Sequence, residues 1–476
     1  MARGMHFEDR MSDADAIMWS VESDPQLRST ITAVWIFERE PDWARFDRKL
    51  ERCSHDIPRL RQRAVSDPLS LAPPRWETDP HFDLDYHVRR LVVPGDGSMR
   101  DLLDVASPIG MQAFDRDRPL WELYRVQGLE GGRAGMIMKL HHAVSDGVGL
   151  VRMTTGMIER GPEEHPSERE PLPATPATEP PPSGFKSDFQ LDWDRIRLAA
   201  IARIRSRRDR AGRLAAALRD GLGDLARDPA AALRAAGETG ASVGRLLKPV
   251  TQPLSPILVD RSLSLHFDTL SVPLSELKRA GKAVGSTMNT AFVAAVTGGL
   301  RRYHEHFGTP VDELRMNMPI NVRSGDKARN AGNQFAPVRF PVPVGIADPA
   351  ERMRSIHERV AAQRAEPALP LIDEISALIG SLPGSGPARI AGSMMKAIDF
   401  TTSNVPGPRF PVYVSGARVE RMFGFGPLAG AAANVTCFSY DGEVAIGVNS
   451  DPAAVREPGL LLECLQKGVA EVLAID

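Results

Sequence analysis

The sequence predicts an α+β protein with two blocks of mixed strands and helices, joined by a Pro-rich linker and a helical bridge. Residues 1–160 and residues 260–476 each alternate strand-like and helix-like segments. Residues 161–184, the linker, are rich in Pro, Glu, Thr and Ser, and this composition buries too little apolar surface to order itself. Residues 185–259, the bridge, are dominated by Ala, Leu and Arg, which favours one or two amphipathic helices.

The individual elements follow from the spacing of apolar residues. Alternating apolar side chains are typical of a half-buried strand, whereas apolar residues three and four positions apart indicate a helix. These patterns predict strands at residues 30–37, 134–140, 262–270 and 443–448, and helices at residues 148–159, 274–284 and 289–307.

Composition and charge narrow the function classes. The 476 residues are 42% hydrophobic and 25% charged, which is ordinary for a globular protein with a large core. The net charge of −2 gives the chain as a whole no electrostatic means of wrapping a polyanion. We therefore expect no nucleic-acid partner.

Cysteine usage and the lack of targeting signals indicate the cytoplasm. Cys53, Cys437 and Cys464 are odd in number and far apart, which argues against a disulfide framework and against structural zinc. Residues 1–10 are charged and lack the apolar core of a signal peptide. No window reaches the roughly 18 uninterrupted apolar residues of a membrane span. We expect a cytoplasmic protein that meets a membrane only from its surface.

The sharpest feature is the motif HHxxxDG, which follows an apolar strand. His141 and His142 end the strand, and Asp146 and Gly147 form a turn from which a helix begins. A histidine is the side chain best suited to accept a proton from a hydroxyl near neutral pH. Because neighbouring residues of a strand face opposite sides, at most one of the two histidines can face a given pocket.

Two other interpretations of this motif stay open on the residues alone. An arbitrary pair of histidines often has a structural role inside a packed core. A metal site made by His141, His142 and Asp146 has suitable ligand types, but no further ligand motif such as HExxH accompanies it, so we expect no metal.

This motif and five other segments resemble the bacterial wax ester synthase/diacylglycerol acyltransferase family. HHxxxDG is the signature of the CoA-dependent acyltransferase superfamily, which that family shares with the condensation domains of peptide synthetases. The other segments match in order and at family-like spacing: FDLDYHV at 82–88, RDRPLWEL at 116–123, PINVR at 319–323 followed by GN at 332–333, SNVPGP at 403–408 and FSYDG at 438–442.

The resemblance implies a fold and an activity. The fold is two chloramphenicol-acetyltransferase-like domains, each a mixed sheet flanked by helices, with an active-site tunnel between them. The implied reaction transfers a fatty acyl group from acyl-CoA to diacylglycerol or a long-chain alcohol, giving triacylglycerol or a wax ester, with His142 as the general base. Acyl-CoA is then a co-substrate, and no bound cofactor is expected.

The resemblance also assigns supporting roles around the motif. His141 is expected to pack or hydrogen-bond in support of His142, and Gly147 lets the backbone approach closely. Asp146 resembles a structural aspartate that is held by an arginine. Arg61, on a predicted early strand, is the expected partner of that aspartate, and Arg63 is the second choice.

Four residues outside the motif are expected to line the tunnel: Trp121, Asn289, Ser403 and Asn404. The family commonly has an Asn-Asp pair at the start of the helix that here begins Asn289-Thr290. The missing acid at Thr290 indicates an atypical acceptor. The alternative is that Asn289 and Thr290 simply cap the helix.

The bridge contains a strongly basic stretch. Between residues 195 and 219 there are nine arginines and one acid, Asp209, in a setting of Ala, Leu and Ile. A basic amphipathic helix is typical of elements that bind a membrane surface or a lipid droplet. The alternative is a solvated helix that packs through its apolar stripe across both domains.

Two other functions compete with the expected one. The same chemistry could serve another hydroxyl, such as a polyketide or glycolipid alcohol. A non-catalytic lipid-binding or granule protein could also keep the fold, but it would need neither His142 nor Asp146.

Overall fold

The computed structural model describes most of the two predicted blocks. The described residues are 7–66, 73–145, 147–163, 252–321, 335–367 and 395–475, with short pieces at 237–238, 241–242, 250, 369 and 392. Nearly all of the predicted linker and bridge, including residues 195–219, therefore lies outside the described residues, and so does Asp146.

The described residues of the first block form five α-helices and six strands. In chain order they are α1 (Asp13–Val21), β1 (Thr30–Phe37), α2 (Trp43–Asp56), β2 (Gln62–Val65), β3 (Arg75–Thr78), α3 (Leu84–His87), β4 (Val88–Val92), α4 (Met99–Met111), β5 (Trp121–Gln127), β6 (Ala134–His141) and α5 (Gly147–Thr154).

The second block contributes eight strands and four longer helices among the described residues. They are β7 (His266–Pro273), α6 (Leu274–Ala283), α7 (Met288–His306), β8 (Glu313–Asn321), β9 (Phe335–Pro343), α8 (Pro349–Arg364), β10 (Phe400–Pro406), β11 (Tyr413–Val414), β12 (Ala417–Phe425), β13 (Ala433–Tyr440), β14 (Glu443–Ser450) and α9 (Pro458–Leu473).

These strands build two six-stranded mixed sheets, so the expected α+β architecture is confirmed. The first sheet has the order β11-β12-β1-β6-β5-β4, and the second has the order β7-β14-β13-β10-β8-β9. In the first sheet only β4 and β5 run parallel, and in the second sheet β10 runs parallel to both β8 and β13. Strands β2 and β3 form a separate small ladder.

One segment passes from the second block into the first sheet. We call residues 413–425, which contain β11 and β12, the exchanged segment. Strand β12 pairs antiparallel with β1, with Thr32 opposite Phe425 and Ala33 opposite Gly424. The sequence pattern does not predict this pairing, because a strand's apolar pattern identifies a buried face but not the sheet that the strand joins.

The two sheets are held together by a shared core. Phe267 of β7 stacks on Phe425 of the exchanged segment, with ring centroids 4.2 Å apart. Gly447 of β14 makes this close approach possible, because a Cβ atom there would lie 2.2 Å from the carbonyl oxygen of Gly424. Only a residue without a side chain fits this contact.

The predicted elements agree with the observed ones, with shifted ends. Strand β1 has the predicted bounds, and the helix predicted at 289–307 is α7. The strand predicted at 262–270 begins later, at His266, and the helix predicted at 148–159 ends at Thr154, just before a turn at Gly156. None of the described helices has both the length and the apolar character that crossing a bilayer requires.

Candidate active site

Strand β6 carries the histidine motif to the end of the first sheet. All eight residues of this strand are buried, as its run of apolar side chains predicts. The strand continues past its last ladder pair, since the N–H of His142 donates to the carbonyl oxygen of Ser29 at 2.8 Å. The chain then turns, and α5 begins at Gly147, the glycine that the sequence places at this turn.

His142 lines a cavity between the two sheets. The cavity encloses about 810 Å³ of empty space, part of which is open to solvent. Strands β1, β6 and β12 of the first sheet form one side, strands β10 and β13 of the second sheet form another, and α5 with the residues after it completes the lining.

Most of the cavity lining is apolar. The apolar residues include Ile31, Ala33, Trp35, Met138, Leu150, Val151, Val405, Met422, Phe425 and Phe438. Besides His142, polar side chains come from Thr154, Ser403 and Thr436. The hydroxyl of Thr154 donates to the carbonyl oxygen of Val151 at 3.0 Å, and that of Thr436 donates to the side-chain oxygen of Asn434 at 3.0 Å. An imidazole beside an apolar cavity of this kind can take a proton from a lipid hydroxyl while the hydrocarbon stays out of water.

His141 has a different environment from its neighbour. It is 2% exposed, and its ring meets the ring of Trp19 edge-on at 5.3 Å. Its Nδ1 accepts the N–H of Ala143 at 3.0 Å, and its Nε2 lies 2.9 Å from Oε1 of Glu22. Since Nδ1 accepts a hydrogen bond, the proton of the neutral ring belongs on Nε2, the nitrogen nearer to Glu22.

Glu22 belongs to this site although it is in none of the sequence motifs. It follows α1, and its side chain is 9% exposed. Burial acts to raise the pKa of Glu22, but its contacts with His141, the N–H of Ser29 and the charge of Arg116 outweigh burial and lower the pKa below its ordinary value. Glu22 is therefore a carboxylate at neutral pH.

Of the four expected tunnel residues, Ser403 lines the cavity. Its neighbour Asn404 faces the other side of β10, where Nδ2 donates to Oδ1 of Asn289 at 3.1 Å. The structure thus brings three of the predicted residues together, with two of them forming a pair behind the cavity wall.

The cap of α7 differs from the predicted alternative. The cap is Thr287, whose side-chain oxygen accepts the N–H of Thr290 at 3.2 Å. Thr290 is 2% exposed and is not among the described residues that line the cavity. Asn289 and Thr290 lie inside the first turn of the helix and do not cap it.

Trp121 lies in the packed core of the first block. Its ring stacks on His87 with centroids 4.4 Å apart, and its Nε1 donates to the carbonyl oxygen of Leu60 at 2.8 Å. The described part of the cavity lining does not include it. The expected tunnel position of Trp121 is therefore not observed, because the ring is held in the core by stacking and by its indole N–H.

Arg61 lies at the end of a 3-10 turn, Pro58–Arg61, and not on the expected strand, which begins one residue later. Its guanidinium contacts α2, donating from Nε to Oγ of Ser54 at 3.0 Å and from Nη2 to Glu51 at 2.5 Å. Arg63 lies 4.0 Å from Asp117. Because Asp146 is outside the described residues, its pairing with either arginine stays a prediction.

A buried serine–histidine pair in the other block has a structural explanation. Oγ of Ser255 lies 2.7 Å from Nε2 of His304, and both residues are buried. Oγ of Ser255 also accepts the N–H of Leu258 at 2.9 Å, and Nδ1 of His304 lies 2.8 Å from the carbonyl oxygen of Leu300. Burial lowers the pKa of His304. These groups stabilise a turn and face no cavity among those found in the described residues.

Comparison with known proteins assigns the family. The pattern of the wax ester synthase/diacylglycerol acyltransferase catalytic domain matches residues 11–292, and that of the WS/DGAT C-terminal domain matches residues 331–472. A Mycobacterium tuberculosis H37Rv protein with the provisional name diacylglycerol O-acyltransferase Rv2484c is 35% identical over 470 residues, covering 98% of this chain and 92% of that protein. Another from the same strain, Rv3087, with the same kind of name, is 32% identical and covers 98% of this chain and 97% of its own.

Solved structures show the same fold. The wax ester synthase/diacylglycerol acyltransferase from Marinobacter aquaeolei VT8 superposes with a TM-score of 0.61 at 20% identity, covering 97% of this chain and 98% of that one. The first condensation domain of the calcium-dependent antibiotic synthetase superposes with a TM-score of 0.61 at 16% identity, covering 98% and 95%. The chain is thus an acyltransferase with two chloramphenicol-acetyltransferase-like domains, and it belongs to the wax ester synthase/diacylglycerol acyltransferase family.

Proposed function

We propose that this acyltransferase moves a fatty acyl group from acyl-CoA to the hydroxyl of diacylglycerol or of a long-chain alcohol, with His142 as general base. The products are triacylglycerol or a wax ester, together with CoA. The observation that carries this proposal is the position of His142 on an apolar cavity between the two sheets.

The proposed reaction needs one imidazole and no covalent acyl-enzyme. His142 accepts the proton of the acceptor hydroxyl as its oxygen attacks the thioester carbonyl carbon. The C–O bond forms, the tetrahedral intermediate collapses, and the C–S bond breaks. The departing CoA thiolate takes the proton from the imidazolium, which restores the neutral histidine. A positioned base of this kind contributes about 10²- to 10⁴-fold in rate.

The apolar lining supports a long-chain lipid as substrate. Each methylene that leaves water for such a surface contributes about 0.8 kcal/mol. A cavity whose described lining offers few polar side chains fits hydrocarbon better than sugar or peptide. Within this site we propose Ser403 as a residue beside the reacting atoms, and Asn289 and Asn404 as residues that hold its strand.

The proposed acceptor is an ordinary lipid hydroxyl. The alternative acceptor, a polyketide or glycolipid alcohol, depends on the missing acid at Thr290. Thr290 is buried and its N–H is bonded to Thr287, and it is not among the described residues that line the cavity. Its identity therefore gives that alternative little support.

We also propose that the enzyme works in the cytoplasm, at the inner membrane surface or at lipid inclusions. Residues 195–219, with nine arginines against one acid, supply the positive charge for anionic headgroups. The test is flotation with anionic liposomes, comparing the native chain with a variant whose arginines in this stretch are replaced by glutamine. Equal binding of the two would remove this part of the proposal.

The catalytic assignment is tested by release of CoA from palmitoyl-CoA with diacylglycerols, monoacylglycerols and long-chain alcohols as acceptors. A thiol reagent can report CoA, because Cys53, Cys437 and Cys464 are all buried in the folded protein and burial raises the pKa of each thiol. Lipid products are separated by thin-layer chromatography.

His142→Ala should lower turnover by about 10²-fold or more, while His306→Ala, on the exposed end of α7, should leave it unchanged. Circular dichroism and thermal unfolding establish that both variants fold. If folded His142→Ala turns over like the native enzyme, the general-base assignment is wrong.

A further inference from the structure

A single buried carboxylate connects to both histidines of the motif. Oε1 of Glu22 lies 2.9 Å from Nε2 of His141 and also accepts the N–H of Ser29 at 2.5 Å. The carbonyl oxygen of Ser29 in turn accepts the N–H of His142 at 2.8 Å. Ser29 itself is 1% exposed, so water does not compete for these contacts.

The first connection fixes the ring of His141. Its Nδ1 already accepts the N–H of Ala143 inside the turn that follows the strand. With Nδ1 committed as an acceptor, the carboxylate of Glu22 favours a proton on Nε2 and so one tautomer and one ring orientation.

The second connection fixes the backbone of His142. The residue lies one position beyond β6, outside the regular ladder, so its peptide group depends on the Ser29 carbonyl for its position. Ser29 is in turn held through its own N–H by Glu22. Moving this carboxylate would therefore release both the supporting ring and the peptide that carries the base.

The outer side of Glu22 is also anchored. Nη2 of Arg116 lies 3.5 Å from Oε2, and the same guanidinium lies 4.2 Å above the ring of Trp19, which meets His141 edge-on. The side chain of Arg116 is half exposed and 3.5 Å away, so its attraction for the carboxylate is weak. It helps to orient Oε2 of Glu22 and leaves Oε1 to His141 and Ser29.

We propose that Glu22 is a positioning residue for the acyl transfer. It acts through His141 and Ser29 to hold the imidazole of His142 at the distance and angle at which it meets the acceptor hydroxyl. This inference rests on the proposed role of His142. Because Glu22 does not touch the cavity in the described lining, its loss should affect the rate of the chemical step and leave substrate binding intact.

The test compares Glu22→Met, which roughly keeps the side-chain volume but has no acceptor oxygen and no charge, with Glu22→Gln, which keeps one acceptor oxygen. Glu22→Met should lower kcat by about 10- to 100-fold, the cost of a small misplacement of a catalytic group. KM for palmitoyl-CoA should stay within about twofold of the native value. Glu22→Gln should recover at least part of kcat.

Glu471→Gln is the matched control. Glu471 is a largely buried carboxylate that also contacts arginines, Arg302 and Arg352, but it lies on α9 in the other block. It should lower the melting temperature and leave kcat within about twofold. The inference is overturned if folded Glu22→Met keeps the native kcat, if its loss appears in KM alone, or if Glu22→Gln is as slow as Glu22→Met.

Should Glu22→Met not fold, Glu22→Asp carries the test, since it keeps the charge and withdraws the carboxylate by one methylene. It should show the same loss of kcat at unchanged KM, and a native kcat would overturn the inference. Native-like turnover by folded His142→Ala would instead refute the proposed function. Loss of activity in His142→Ala together with a native kcat in the Glu22 variants would refute only the role of Glu22.

Discussion

The side-chain amide of Asn404 donates a hydrogen bond to the side-chain oxygen of Asn289 across 3.1 Å. This bond connects β10 to the first turn of α7. Ser403, the residue before Asn404 in β10, lines the cavity. We expect Asn289→Ala and Asn404→Ala to couple by about 0.5–1.5 kcal/mol in a double-mutant cycle of urea unfolding. Strictly additive losses would show that the two amides do not interact in solution.

The contact between Gly447 and Gly424 should tolerate no side chain. Gly447→Ala places a Cβ atom 2.2 Å from the Gly424 carbonyl oxygen, so β12 or β14 has to shift. We expect the free energy of unfolding to fall by about 1–3 kcal/mol. Turnover should fall too, because Gly424 lines the cavity.

Gly459→Ala serves as the control for this substitution, measured by the same urea titration. A Cβ atom at Gly459, in the first turn of α9, would meet nothing within 4 Å. It should change the unfolding free energy by less than about 0.5 kcal/mol, or raise it. Equal effects at the two glycines would contradict the close approach of the sheets.

Ala33→Leu should shift the acyl-chain preference of the enzyme. Ala33 is a small residue in the apolar cavity lining, and a leucine there removes space from the cavity that holds His142. We expect kcat/KM for palmitoyl-CoA to fall by about tenfold or more relative to that for butyryl-CoA. The ratio is measured by CoA release with one acceptor alcohol, and Ala470→Leu, at an exposed position of α9, should leave it unchanged. An unaltered ratio in Ala33→Leu would place the acyl chain elsewhere.

The low pKa of Glu22 predicts how stability depends on pH. Its folded pKa lies below the ordinary value of 4.5, so in acid the unfolded chain binds a proton more readily than the folded one. The stability that the carboxylate contributes is therefore fully present above 4.5 and is lost as the pH falls through the folded pKa. The difference in unfolding free energy between the native chain and Glu22→Gln should shrink from neutral pH toward acid. A difference that does not change with pH would show that the folded protein does not lower the pKa of Glu22.

Much of the fold follows from local patterns in the sequence. The apolar, β-branched run of β1 and the long apolar pattern of α7 each identify an element by itself, because the burial of one face imposes a period on the residues. The exchanged segment shows the limit of this reasoning. The first residues of β12 alternate between buried and exposed as those of any half-buried strand do, and the pairing with β1 depends on tertiary contacts that no local period encodes.

The candidate site, like the fold, could be predicted from the sequence only in part. The position of His142 on the cavity was predictable because the residue comes at the end of a buried strand. The position of Ser403 was predictable from its family motif. Trp121 could not be placed from its motif alone, since an indole packs equally well in a core or in a cavity wall. Glu22 is distant in sequence from both histidines. One signal could have found it: Asp15, Trp19 and Glu22 share one face of α1, and that face is buried.

The exchanged segment has a consequence for synthesis on the ribosome. Until residue 425 has emerged, β1 presents an open edge, and the wall of the cavity that β12 supplies does not yet exist. A nascent or truncated chain that contains only the histidine motif therefore offers an apolar strand edge to other chains, and such edges promote aggregation. Expression of the first 160 residues alone should yield insoluble protein. Co-expression with the second half of the chain should make them soluble only if the two halves fold together.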